Sequence, residues 1–399
     1  MPFLLAKLAL FSLLVPTGEQ VEWVRVGLFS LFKPQVLHVQ VADQTATIDT
    51  GSLTLSLDVG EGLRVTLSGS QLHVLLIDRY GRIKQSLNAS HLKLTGVGAT
   101  AFELSIPQKI RRTVRGDLLI AAPTAASTGL RIILSTAFES AVASVTAAEM
   151  QGQQQTEAIK ALSVIARTYM LANLGRHHDE GFDFCDTTHC QLYRGEQDLS
   201  AELAAPLMAR AVAATAGEYL AFQNQAVDVY FTAVCGGLSA TPEMVWGGAS
   251  RYPYQRIACD WCKPSEYAHW QRQAAASSVV AALSAATGAR LSQNVKLTVE
   301  KYANSEVAHA VVLSDRGRQL RLTVEEFRRA VGRKLGWNRV LSPSFEVERR
   351  GERFFFRGRG FGSQVGFCLI GSVAQAAAGR GYRDILGFYF PEMTIRTRP

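Results

Sequence analysis

No segment of this 399-residue chain stays apolar for the roughly twenty residues that a membrane-spanning helix needs. The nearest approach is Met1 to Pro16, where one early positive charge, Lys7, precedes an apolar run that ends at Pro16. That is the layout of a secretory signal without a clear Ala-x-Ala cleavage site, and the competing reading is a first buried strand or helix. Charge is scarce too, at 19% of residues against 47% hydrophobic, which excludes wholesale disorder and allows two or three domains with a sizeable core. The net charge of +8 suits an anionic partner, but apart from short groups at Lys109–Arg115 and Arg328–Lys334 the basic residues are scattered. Scattered Lys and Arg make a solvated face more readily than a nucleic-acid site, so no nucleic acid is expected. The glycine-rich stretch near the C-terminus has no Gly-Lys-Ser ending, which argues against a phosphate cradle.

From Val21 to Ile120 the pattern is short alternating apolar runs, such as Leu63-Arg-Val65-Thr-Leu67 and Leu72-His-Val74-Leu-Leu-Ile77, divided by Gly, Asp and Ser turns. This reads as antiparallel β structure, with a hairpin turn at Asp78-Arg-Tyr-Gly81 and a further hairpin from Arg115–Ile120 to Leu130–Leu134. No cluster of acids, cysteines or histidines appears there, so the region is expected to pack on or present the rest. Farther on, Ala158, Ile159, Leu162, Ile165, Ala166 and Tyr169 recur at helical spacing, and Leu203–Ala214 predicts a second helix. The segment from Ser277 to Pro343 has its own texture. It combines an Ala-rich helix ended by Gly288, strands at Val295–Val299 and Ala310–Leu313, and a helix opened by the capping box of Thr323 and Glu326. The fold class expected is α+β, with mixed, largely antiparallel sheets and a few packed helices.

Reactive groups gather between Glu149 and Tyr193. Glu149 is expected just ahead of the first turn of the helix over Ala158–Leu171, where burial against an apolar face would raise its pKa; the plainer reading is a helix N-terminal acid facing the dipole. The loop that follows reads His178-Asp-Glu-Gly-Phe-Asp-Phe-Cys185-Asp-Thr-Thr-His189-Cys190-Gln191. Cys185, His189 and Cys190, with His178 as fourth ligand and His177 as its rival, suit tetrahedral zinc, and a filled set of four would make the site structural. A Cys185–Cys190 disulfide is the alternative. Cys259-Asp-Trp-Cys262 could be a redox pair, half a metal site or a staple; with no second Cys-x-x-Cys and Cys235 nearby, a structural bridge among these three thiols is favoured.

These residues also carry a resemblance. Glu149-Met150, Glu157-Ala-Ile-Lys-Ala-Leu, Ile165-Ala-Arg-Thr-Tyr169 and Cys185-Asp-Thr-Thr-His-Cys-Gln191 resemble the core of the SpoIID/LytB family. Cys235-Gly-Gly237, Val245-Trp-Gly-Gly248, Tyr252-Pro-Tyr254 and Cys259-Asp-Trp-Cys262 follow in the family's order, and the likeness runs from about Arg112 to Ile395. It departs in three places. Ala141 stands where the family's Glu-Asp-Tyr, begun here by Glu139, has its tyrosine; Ser363 and Gln364 replace a histidine and a glycine of the glycine-rich loop; and Leu369 replaces its glutamine.

The resemblance implies a division into a signal-like segment at 1–18, an N-terminal β module at 19–111 and a family domain at 112–399 that holds an inserted α/β subdomain at about 277–343. It implies a peptidoglycan lytic transglycosylase that acts outside the cytoplasmic membrane on glycan strands, with Glu149 as general acid and base. Arg167, Tyr169, Ser363 and Gln364 would line the substrate groove. Some relatives resemble this chain in binding zinc at the matching Cys-His-Cys residues. The alternative it implies is a wall-bound protein that holds glycan while a partner amidase cuts.

Overall fold

A computed structural model describes residues 22–96, 100–123, 128–150, 152–196 and 204–398; the signal-like segment lies outside them. The architecture is α+β. The N-terminal strands form two sheets. One has seven strands, in the order Phe184–Cys185, Trp23–Gly27, Arg131–Ala137, Asp117–Ala121, His91–Gly96, Ala46–Asp49, Thr54–Leu57. The other has six, in the order Ile110–Arg115, Ala101–Ile106, Val36–Val41, Gly62–Ser68, Gln71–Ile77, Ile83–Ala89. Alternation decides which faces turn inward: Val24 and Val26, Leu37, Val39 and Val41, and Leu72, Val74 and Leu76 are all buried in one shared core. The turn at Asp78 forms as the sequence predicts, its carboxylate accepting from the N–H groups of Tyr80 and Arg82 at 2.9 Å each.

Pairing is antiparallel through the larger sheet except at one edge, where Val26 and Gly27 run parallel to Phe184 and Cys185. The first strand of the N-terminal region therefore carries the start of the cysteine loop directly. Gly27 is required there, because a Cβ would stand 2.7 Å from the Phe182 ring. Asp186 completes the attachment. Buried, it accepts from the N–H groups of Phe29 (2.7 Å) and Ser30 (3.1 Å) and from Arg112 Nη1 (2.6 Å).

Among the described residues the helices are α1 (Phe138–Glu149), α2 (Thr156–Ala172), α3 (Ala204–Ala213), α4 (Pro242–Trp246), α5 (Ala276–Thr287), α6 (Val324–Leu335), α7 (Leu369–Ala377) and α8 (Tyr382–Tyr389). None is long and apolar enough to cross a membrane. α2 is buried on nearly every side, with α1, α3, α7 and α8 packed around it. Its buried hydroxyls are satisfied within the helix, Ser163 donating to the Ile159 carbonyl (2.8 Å) and Thr168 to that of Val164 (2.6 Å). Glu149 corrects the expectation drawn from sequence: it is the last residue of α1, not the approach to α2.

A second core draws on residues from Trp270 to Phe356. It joins α5 and α6 to two three-stranded sheets, Trp270–Ala275 with Arg353–Gly358 and Phe345–Arg350, and Lys296–Lys301 with Ala308–Asp315 and Arg318–Thr323. α5 ends at Gly288 in the left-handed conformation, and α6 opens on the Thr323–Glu326 capping box, the Thr323 hydroxyl accepting from the Glu326 N–H at 3.2 Å.

Candidate functional site

α1 follows the strand Arg131–Ala137 without a loop and buries Ala141, Val142, Val145 and Ala148. Its C-terminal turn meets residues 190–196. Ser144 Oγ donates to the Gly195 carbonyl at 2.9 Å, and the Arg194 N–H reaches the same hydroxyl at 3.3 Å. On the other side the Glu196 N–H donates to the Thr113 carbonyl at 2.7 Å. Only glycine fits between these anchors, since a Cβ on Gly195 would lie 2.2 Å from the Thr113 oxygen. The clamped loop brings the Leu192 N–H and the Arg194 guanidinium to bear on Glu149.

Burial pushes the Glu149 carboxyl up to about 7, and Arg194 and the Leu192 amide offset only part of that rise. The end of α1 adds to it, because the carbonyl-rich C-terminus of a helix repels a negative charge. Glu149 is therefore a carboxyl that can hold a proton near neutral pH and release it there, as a general acid must. Next to Leu192 in the chain, Gln191 is buried with both ends of its amide unpartnered among the described residues. Such a group is poised for a ligand. The sequence alone gives Gln191 no role beyond closing the Cys185–Gln191 motif.

The cysteine loop brings His177, Cys185, His189 and Cys190 together, with one donor atom of each within 4.8 Å of the others. His177 Nε2 lies 3.3 Å from Cys190 Sγ, and His189 Nδ1 lies 3.7 Å from both sulfurs. His178 is not part of the group. Its side chain is 85% exposed on the turn His178–Glu180, so His177 is the fourth member in its place. Glu180 Oε1, 2.5 Å from His177 Nδ1, and the Phe182 ring stacked at 4.9 Å fix the imidazole with Nε2 toward the thiols. A carboxylate behind a histidine is the usual orienting partner of a metal ligand. The two thiols share a hydrogen bond, which lowers Cys185 and raises Cys190. Two soft sulfurs and two imidazoles form a donor set that could hold a metal ion.

The residues expected to line a groove are mostly buried. Arg167 has 0% side-chain exposure and binds Glu139. Tyr169 is buried, its hydroxyl pushed up by burial and by Cys190. Gln364 is buried in the left-handed conformation, donating to the Cys235 carbonyl at 2.8 Å, and the half-buried Ser363 accepts from the Val365 N–H at 3.2 Å. Arg167, Tyr169 and Gln364 are buried, and Arg167 and Gln364 are hydrogen-bonded within the fold. What does face outward is Trp246, 45% exposed at the end of α4, its ring 4.8 Å from that of Tyr230. Asp228 and Arg176 act on the hydroxyls of both Tyr230 and Tyr169, so this aromatic shelf adjoins the end of α2 and the cysteine loop. The bridge expected among Cys235, Cys259 and Cys262 is also revised: all six cysteines are free thiols, and Cys368 joins those three.

Comparison with known proteins finds similar sequences. Residues 126–222, which span α1, α2 and the cysteine loop, match the Stage II sporulation protein family, SpoIID. The chain is 28% identical to the stage II sporulation protein D of Bacillus subtilis over 63% of its own length and 72% of that protein. It is 26% identical to the protein of the same name in Bacillus amyloliquefaciens, over 64% of this chain and 73% of that one. An uncharacterized protein of Brachyspira hyodysenteriae is 26% identical, the match spanning 62% of this chain and 63% of the relative. The motifs at Glu149, Arg167 and Cys185–Gln191 all fall inside the matched stretch, where the chain is similar to the SpoIID family.

Proposed function

We propose that this protein is a cell-wall lytic transglycosylase that cleaves the β-1,4 bond between N-acetylmuramic acid and N-acetylglucosamine in peptidoglycan glycan strands. The observation that carries the proposal is Glu149, a carboxyl raised to about 7 by burial at the end of α1. Hydrolytic glycosidases generally need two carboxylates, one as acid and one as nucleophile or base. The groups acting on Glu149 are a guanidinium and a backbone amide, an arrangement suited to a reaction that uses one acid twice. Protonated Glu149 donates to the leaving glycosidic oxygen as the C1–O bond breaks. The resulting carboxylate takes the proton of the muramic acid 6-hydroxyl, whose oxygen closes on C1 to form the 1,6-anhydro ring, and Glu149 is protonated again. Gln191 supplies an amide for the sugar's acetamido or hydroxyl groups, and Trp246 and Tyr230 offer apolar ring faces to its C–H bonds.

His177, Cys185, His189 and Cys190 would hold zinc. Four protein ligands leave no open position, so the ion would brace the loop that carries Gln191 and Leu192. Because the substrate lies outside the cytoplasmic membrane, the protein is proposed to act there.

A second reading is a glycan-binding protein that enhances a partner amidase. The replacements at Ser363 and Leu369 favour it, since the family's loop has histidine and glutamine at those places. Mass spectrometry of denuded glycan strands incubated with the wild type and with Glu149→Gln separates the two. Anhydro-muramic ends from the wild type alone support the enzyme. Glycan that is bound and left whole supports the second reading.

A further inference from the structure

Four cysteines from three separate stretches of the chain, Cys235, Cys259 with Cys262, and Cys368, meet in the core with their sulfurs all within 4.8 Å of one another. Each has 0% exposure. Cys235 follows the strand Phe231–Thr232; Cys259 and Cys262 bracket the single turn Asp260–Cys262; Cys368 ends the strand Phe367–Cys368 and caps α7. The two short strands run parallel, Thr232 beside Cys368, which brings the first and last cysteines together. Cys235 and Cys262 stand 3.5 Å apart, sulfur to sulfur.

We infer that these cysteines form a second metal site, a closed tetrathiolate that holds one zinc ion and clasps the glycine-rich C-terminal loop to the body of the domain. The inference is independent of the proposed activity and of the His177 group. Zinc–sulfur bonds of about 2.3 Å at tetrahedral angles set sulfurs about 3.8 Å apart, within the spacing seen here. A polynuclear iron–sulfur cluster would spread its thiolates around several metal atoms. The surroundings already serve sulfur acceptors: the N–H groups of Cys235 and Gly371 point at Cys368 Sγ, at 3.4 and 3.3 Å, and Tyr389 Oη lies 3.3 Å from Cys259 Sγ. Donors of this kind are the outer partners that orient and stabilise metal-bound thiolates. Backbone also crowds in where no side chain would fit. A Cβ on Gly371 would lie 2.8 Å from Cys259 Sγ and 3.2 Å from Cys368 Sγ, and one on Gly236 would lie 2.6 Å from the Gly360 amide. With four protein ligands the ion has no catalytic position. Its role is to tie residues 235, 259–262 and 368 together, adding its binding free energy to that of the fold.

The test uses the full chain with the first group removed by Cys185→Ser and His189→Ala. One zinc per chain is expected by elemental analysis, lost in a variant that adds Cys262→Ser. Because that variant could unfold, the decisive measurement is made on wild type. Alkylation in denaturant followed by peptide mapping should find Cys235, Cys259, Cys262 and Cys368 all modified as unlinked thiols, with zinc released from the protein as they are modified. Cobalt reconstitution should give tetrahedral bands with strong thiolate charge transfer in the Cys185→Ser, His189→Ala protein. Disulfide-linked peptides from these four positions, free thiols with no metal, or iron in place of zinc would each overturn the inference.

Discussion

Arg167, wholly buried in α2, holds Glu139 of α1 by both carboxylate oxygens, Nε to Oε1 at 2.8 Å and Nη2 to Oε2 at 2.7 Å. Its remaining Nη1 donates to the Glu218 carbonyl at 2.8 Å. α1, which ends in Glu149, is thereby fixed against α2 by a planar two-point grip that lysine cannot reproduce.

Replacing Arg167 with methionine, of similar length, should therefore lower stability by about 2 kcal/mol, below the full cost of breaking a buried pair because Glu139 is 41% exposed and can rehydrate. Arg167→Lys should recover little of this. Urea unfolding of the three proteins gives the result, and equal midpoints would show that the grip does not hold the helices.

Glu149 makes stability depend on pH in a direction opposite to an ordinary ion-paired acid. The unfolded chain sheds this proton as pH passes about 4.5, whereas the folded chain keeps it to about 7, so stability falls across that window and is level beyond it. Glu149→Gln cannot ionise. Its lead over the wild type should grow between those limits and reach at most about 3 kcal/mol at pH 8. Cleavage by the variant should fall by about 10²- to 10⁴-fold, and wild-type cleavage should decline above pH 7 as the acid loses its proton. Parallel stability profiles for the two proteins would refute the raised carboxyl.

Of the neighbouring histidines, only one should matter to metal. His177→Ala is expected to release the ion from the cysteine loop and His178→Ala to retain it, as read by elemental analysis of the purified chains. Glu180→Gln removes the orienting carboxylate and should weaken metal affinity by roughly 10- to 100-fold in a chelator competition.

The exposed Trp246 ring has little to hold in the fold and should contribute to sugar binding. Trp246→Ala is expected to weaken binding to denuded glycan by roughly tenfold, about 1.4 kcal/mol, with the unfolding midpoint unchanged. Undiminished binding would remove the shelf from the site.

Much of the local structure could be read from the chain. Alternation in Leu72–Leu76, the Asp78 turn, the apolar spacing of α2 and the Thr323–Glu326 box each depend on residues a few positions apart, and each forms as the sequence predicts. α1 was not legible, because Phe138–Glu149 is mostly alanine, serine and valine, and small residues give weak contrast between faces. Without α1, Glu149 falls at the approach to α2 instead of at the end of a helix.

The sequence by itself determined the α+β class, the carboxyl at Glu149 and the Cys185–His189–Cys190 loop, because periodicity and short spacing are properties of neighbours along the chain. Tertiary structure decided everything that rests on distant partners. Adjacent histidines differ only in which side of a turn they take, and Glu180 with Phe182 settles that for His177. An arginine on an apolar helix looks like a ligand contact until Glu139 is found beneath it. Cys368 lies 133 positions from Cys235 and joins it only because two short strands happen to run side by side, a closure that chain order alone does not encode.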